Sequence, residues 1–207
     1  LLSGRYDLDK TAVIMTQTGG GCRATNYIAM IRRALKSANM SQIPVISMSF
    51  SGIEKNPGFK ITLPMLRSLV NAVLYGDLLM RCVYKVRPYE KNVGETNALY
   101  KEWNDRLTAE FAAGDVPTKK YAARIVKEFG AIPTLDIVKP RVGIVGEILV
   151  KFHPLANNYV VDLVEREGGE AVVPDFVDFF LYSFYNSTIK HDLLDGKLKG
   201  KLISDVG

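Results

Sequence analysis

The stretch Thr11-Ala-Val-Ile-Met-Thr-Gln-Thr-Gly19-Gly20-Gly21-Cys22-Arg23-Ala-Thr-Asn26-Tyr27 decides how the chain is read. Thr11 to Thr16 is a continuous apolar run, the pattern of a strand buried on both faces of a parallel sheet. Three glycines follow, which take backbone conformations closed to other residues and admit close approach to a ligand. A helix comes next: Ile28, Ile31 and Leu35 repeat at helical spacing, with Arg32, Arg33 and Lys36 facing away,. Thr25 is the predicted N-cap. The first amides of such a helix favour an anion or a thiolate in the turn. Cys22 stands there beside Arg23, as a metal ligand or reactive thiol. The plainer alternative is a tight strand–helix turn holding a small buried residue.

Outward from this motif, Pro44 to Ser49 reads as a second strand. The loop after it carries the turn signal Asn56-Pro57-Gly58,. The middle of the chain is helical. Thr62 is expected to cap a segment with Leu66, Leu69, Val70, Val73 and Leu74 on one stripe, continuing through Leu79, Cys82 and Val83 and stopping at Pro88,. Gly76 within it predicts a close helix contact or a bend. Leu99, Trp103, Leu107 and Phe111 mark a second helix; Tyr121, Ile125 and Phe129, after Pro117-Thr118, mark a third. These stripes are read as packing faces. From Pro140 a second strand–helix–strand unit begins: Arg141 to Gly146, a helix through Val160 to Val164 closed by Gly168-Gly169, and Ala171 to Val173. An aromatic-rich helix follows Pro174-Asp175. The expected fold is therefore α/β: a Rossmann- or flavodoxin-like parallel sheet made of two β-α-β units, one domain over 1–207 with a helical insertion at about 62–130.

In open parallel sheets, ligands bind beyond the carboxyl ends of the strands. Residues 19–22, 49–52, 147–153 and 175 each follow a strand end, so four strands in one sheet would bring them to one edge. On this basis Gly19, Gly20, Gly21, Arg23, Asn26, Glu147 and His153 are the expected substrate-binding residues and Cys22 the expected metal ligand. No catalytic residue is assigned.

With 207 residues, 47% hydrophobic and 24% charged, the chain has the composition of a globular protein,. A net charge of +5, with no more than two adjacent Lys or Arg, lacks the dense clustering of nucleic-acid binders, and none is expected as a partner,. No apolar run reaches the ~20 residues of a membrane span. Two cysteines are too few for a disulfide framework, and Cys82 reads as a core residue,. Leu1 and the strand-like Leu202-Ile203 at the other end suggest a piece of a longer cytoplasmic protein. Neither G-x-G-x-x-G nor a phosphate-loop sequence occurs. Two histidines, His153 and His191, exclude a multi-histidine metal site. A Cys22–His153 nucleophile–base pair is a third reading, that of an independent thiol enzyme.

The sequence Met15 to Tyr27 resembles the signature of the large activase-related proteins of the 2-hydroxyacyl-CoA (2-hydroxyglutaryl-CoA) dehydratase system. Gly94 to Trp103, Val142 to Asn157 and the surroundings of Val173-Pro174-Asp175 are similar to the same family, so the likeness spans nearly the whole chain. These long proteins join activator-type ATPase domains to a dehydratase-related region, and this chain resembles a slice of the latter. The resemblance implies Rossmann-like domains, a 4Fe-4S cluster in the full-length protein, a CoA thioester as ligand, and radical dehydration as the context. It implies as partners the other domains of the parent protein and a dehydratase or activase component. Only Cys22 carries over as a cluster ligand. A cluster normally takes several thiolates, so the isolated fragment is expected to hold none, to lack ATPase activity, and to be inactive alone. The alternative within the same family is a non-catalytic scaffold or binding module in which the glycines are structural.

Overall fold

The computed structural model describes residues 1–18, 22–48, 62–114 and 119–194. Among them the chain forms two compact units, Leu1–Thr62 and Leu63–Gly207. The architecture is mixed α/β and mainly helical, with two small parallel sheets.

In the first unit, β1 (Val13–Thr16) pairs in parallel with β2 (Val45–Met48), Val13 opposite Val45 and Thr16 opposite Met48. α1 (Tyr27–Ser37) connects them and buries Ile28 and Leu35. Leu35, Met40 and Ile43 form the local core, with Ile31 and Val45 packed against it. The β-α-β reading of this segment is thus met. The helix start differs: a 3-10 turn, Arg23–Asn26, precedes α1, and Thr25 lies inside it. Instead of capping, the Thr25 hydroxyl donates back to the Thr18 carbonyl at 2.8 Å.

In the second unit, α2 (Leu63–Val86), α3 (Glu95–Ala113) and α4 (Lys119–Gly130) supply the predicted helical middle. Tyr75, Leu79, Val83, Trp103, Leu107, Ile125, Phe129 and Ile132 make its core. Trp103 is 1% exposed. It meets Tyr121 edge-on at 5.8 Å, and its indole N–H donates to Glu128 at 2.8 Å. The aromatic stripes are packing faces, as expected. α2 only half follows its stripe: Leu66, Leu69, Val70 and Leu74 are exposed, and burial begins at Tyr75. The apolar period continues along the helix, but the buried core formed with α3 and α4 begins only at Tyr75. Glu90 accepts from the backbone N–H of Gly94 and of Thr96, at 2.7 and 2.8 Å, satisfying the start of α3,.

β3 (Arg141–Gly143) and β4 (Glu170–Val172) form the second parallel pair, with Arg141 opposite Glu170. Between them run α5 (Ile148–Phe152) and α6 (Val160–Arg166). β3 is shorter than predicted; only Ile144 N–H continues the ladder, to the Val172 carbonyl at 2.9 Å. Beyond it, Gly146 turns the chain with a φ of 146°. Among the described residues the four strands form two sheets rather than one, because each β-α-β unit pairs its own two strands. The single shared sheet edge, and the convergence of the four loop segments upon it, therefore lose their premise. α7 (Phe176–Leu194) is anchored by Asp77 of α2. Its buried carboxylate accepts from Phe176 N–H at 2.9 Å and Val177 N–H at 2.8 Å, while Arg81 pairs with Asp175 at 2.6 Å.

Glu170 is a second buried carboxylate, 3% exposed, and takes hydrogen bonds from Tyr89 at 2.6 Å and Lys85 at 3.1 Å, with Arg141 at 3.3 Å. Burial alone pushes its pKa up. The Tyr89 and Lys85 hydrogen bonds and the nearby positive charges outweigh that and hold it below the usual carboxylate range,. Glu90 and Glu128 are lowered as well. A carboxylate lowered on folding contributes stability that is fully present above its unfolded pKa of about 4.3 and is lost as pH falls through the folded value. The thermal midpoint is expected to hold steady between about pH 8 and 5 and to fall below about pH 4; Glu170→Gln is expected to flatten that acid limb. An unchanged pH profile in the variant would deny Glu170 this role.

Candidate functional site

The polypeptide around Cys22 is held by three polar side chains. Gln17, 7% exposed at the end of β1, donates through its amide to the Thr25 carbonyl at 2.9 Å and accepts from the Ser47 hydroxyl at 2.6 Å. Its backbone N–H donates to the Met48 carbonyl at 2.9 Å. With the Thr25–Thr18 bond, these contacts tie β1, β2 and the 3-10 turn into one closed element. Gln17 and Ser47 went unnoticed in the sequence, where both sit in ordinary strand-end positions; the small, polar alternation Ser47–Met48–Ser49 in an apolar strand was the available signal.

Cys22 occupies the N-cap position of the 3-10 turn, extended at φ −74°, ψ 139°, and makes no capping bond through its side chain. It is exposed, as are Arg23 and Asn26. Ala24 turns inward and is buried. The structure thus brings Cys22, Arg23 and Asn26 to one exposed turn whose inner side is fixed by Gln17. Gly19, Gly20 and Gly21, and the predicted segment 49–52, lie outside the described residues.

Glu147 and His153 belong to the second unit, at opposite ends of α5. The Glu147 carboxylate accepts from Val150 N–H at 3.1 Å, an ordinary N-cap,. His153 follows the last turn, is exposed, and its Nδ1 accepts from Ala156 N–H at 3.3 Å. The Glu147 side chain caps this short helix, and the His153 side chain holds the turn that follows it. Asp175 is engaged by Arg81.

A 4Fe-4S cluster is held by several thiolates. Here the donor set falls short. Cys82 lies half-buried on α2 in the other unit, and burial pushes its thiol pKa up. No group of three or more His, Cys, Asp or Glu residues suited to a metal ion occurs among the described residues. These residues do not make a cluster site by themselves, and Cys22 amounts to one ligand at most. Among the described residues no helix is long and apolar enough to cross a membrane.

No protein-family model, no curated protein and no solved structure matches this chain.

Proposed function

We propose that the chain is a dehydratase-like region of an activase-related protein of the 2-hydroxyacyl-CoA dehydratase system, contributing Cys22 to an iron–sulfur or CoA-thioester site that other parts of the parent protein complete. The observation that carries this reading is the exposed Cys22 at the head of the Arg23–Asn26 turn, which follows β1 in the chain and is braced by Gln17. It supports the reading because bracing from behind leaves the thiol and the flanking Arg23 and Asn26 facing outward. Gly19, Gly20 and Gly21 precede the thiol, and in this reading their amides serve the ligand. The fold that goes with it is Rossmann- or flavodoxin-like; parallel pairing in both units supports that. The chain's place is cytoplasmic, and its partners are the other domains of the parent and a dehydratase or activase component.

A scaffold reading is favoured by one specific observation: of the residues expected to bind substrate, Glu147 caps the start of α5 and His153 holds the turn that follows it. Iron and acid-labile sulfide analysis of the full-length parent protein, prepared without oxygen, separates the two. The first reading expects bound iron that depends on Cys22. Iron indifferent to this residue, or none, removes Cys22 as a cluster ligand and favours the scaffold.

A further inference from the structure

Gly76 lies in the interior of α2, where glycine costs helix stability relative to alanine,. The sequence suggests that it permits a close helix contact or marks a bend. No close helix contact requires it: a Cβ at Gly76 would meet nothing within 4 Å. The bare backbone instead lines a cavity of about 330 Å³ within the second unit. That volume is at the lower end of small-molecule sites, roughly 300–1,000 Å³.

The walls of this cavity state what would fit. Four aromatic rings line it, those of Tyr84, Tyr100, Phe152 and Tyr159. Tyr159 is brought there by two successive left-handed residues, Asn158 and Tyr159, each with a φ of 56°. Such a conformation is uncommon for residues other than glycine, and it costs energy that ordinary loops avoid. The charges also divide unequally. Arg87 spends its fork on Glu165, at 2.8 and 3.0 Å, and on Asp162 at 3.3 Å. Lys151 lies against the Phe152 ring, its Nζ 4.4 Å from the centroid, with no carboxylate partner among the described residues. Asn97 gives its carbonyl oxygen to Arg87 and keeps its amide N–H₂ as a donor,. A flat ring with acceptor nitrogens and one attached anion satisfies the aromatic walls, Asn97 and Lys151 together.

We propose that this cavity binds a purine nucleotide, its ring lying against the bare helix at Gly76 and the surrounding tyrosines, its phosphate paired with Lys151. The proposal stands on the cavity alone and is independent of the role assigned to Cys22. Its chemistry is met by a free nucleotide or by the nucleotide end of coenzyme A, the second of which rests on the CoA-thioester reading of the proposed function.

Calorimetric titration of the 207-residue chain with AMP, adenosine and coenzyme A tests it. Saturable binding of AMP identifies a free nucleotide as sufficient; binding of coenzyme A without AMP assigns the coenzyme as the source. In either case Lys151→Gln is expected to weaken the phosphate-bearing ligand about tenfold and leave adenosine unchanged. Gly76→Ala supplies the control for folding. It is expected to raise the thermal midpoint by about 2–4 °C, as a relieved helix glycine should, while weakening the same ligand at least about tenfold. Gly76→Leu, which fills the cavity, is expected to abolish binding. No saturable binding of either AMP or coenzyme A at millimolar concentration would overturn the proposal. So would binding indifferent to Gly76→Ala, or a Gly76→Ala protein that melts below wild type.

Discussion

Trp103→Ala is expected to lower the stability of the second unit by about 3–5 kcal/mol, the usual cost of truncating a large buried aromatic. The side chain is 1% exposed and sits in the core that α2, α3 and α4 share. Its loss opens a cavity beside Tyr121 and leaves Glu128 without the indole donor it holds at 2.8 Å. Arg124, whose guanidinium carbon lies 5.3 Å from the ring centroid, loses its aromatic partner as well, while Arg106 keeps Tyr121 at 5.2 Å,. Trp103→Phe keeps most of the ring but not the N–H, so a loss of about 1–2 kcal/mol is expected there. Urea unfolding followed by helical circular dichroism measures both, since the variants lack the chain's one tryptophan. A loss below about 1 kcal/mol for Trp103→Ala would mean that these helices do not pack as described.

Asp77→Ala is expected to cost about 2–4 kcal/mol. Its carboxylate is 7% exposed and accepts from two backbone N–H groups at the start of α7. Helix starts leave such donors without intrahelical partners, and their partial positive charge favours a carboxylate. Removing it unsatisfies both donors and loosens α7 from α2. Asp77→Asn retains one acceptor oxygen, and a smaller loss of about 1 kcal/mol is expected. Trp103 fluorescence during urea unfolding reports on the unit concerned. Equal stability of Asp77→Ala and wild type would remove Asp77 as the anchor of α7.

The contrast between these residues explains what a linear reading reaches. Trp103 was legible because Leu99, Trp103, Leu107 and Phe111 fall at four-residue steps, and helical period is local information. Both parallel pairs were legible for the same reason, as apolar strands flanking an amphipathic helix. Asp77 was not: its partners lie 99 and 100 residues away, and nothing around it distinguishes a helix anchor from a surface carboxylate. Glu170, gathered with Lys85, Tyr89 and Arg141, is of the same kind. The exposed half of the α2 stripe shows the opposite failure, since apolar period says which face a helix would bury but not where its partners begin. At the candidate site, the glycine–cysteine motif fixed the place of Cys22, Arg23 and Asn26. Glu147 and His153 were grouped with them through an assumed common sheet, and the observed strand pairing gives two sheets instead.

In the proposed function Cys22 is a single ligand of an iron–sulfur site that the rest of the parent protein completes. Iron per polypeptide in the full-length parent protein, purified without oxygen as wild type, Cys22→Ser and Cys82→Ser, tests it most directly. Cys22→Ser is expected to lose iron, because serine replaces a thiolate ligand, while Cys82→Ser, changed at a half-buried thiol on α2, is expected to keep the wild-type content. Equal iron in wild type and Cys22→Ser would contradict it and leave the Gln17-braced turn as a structural element alone.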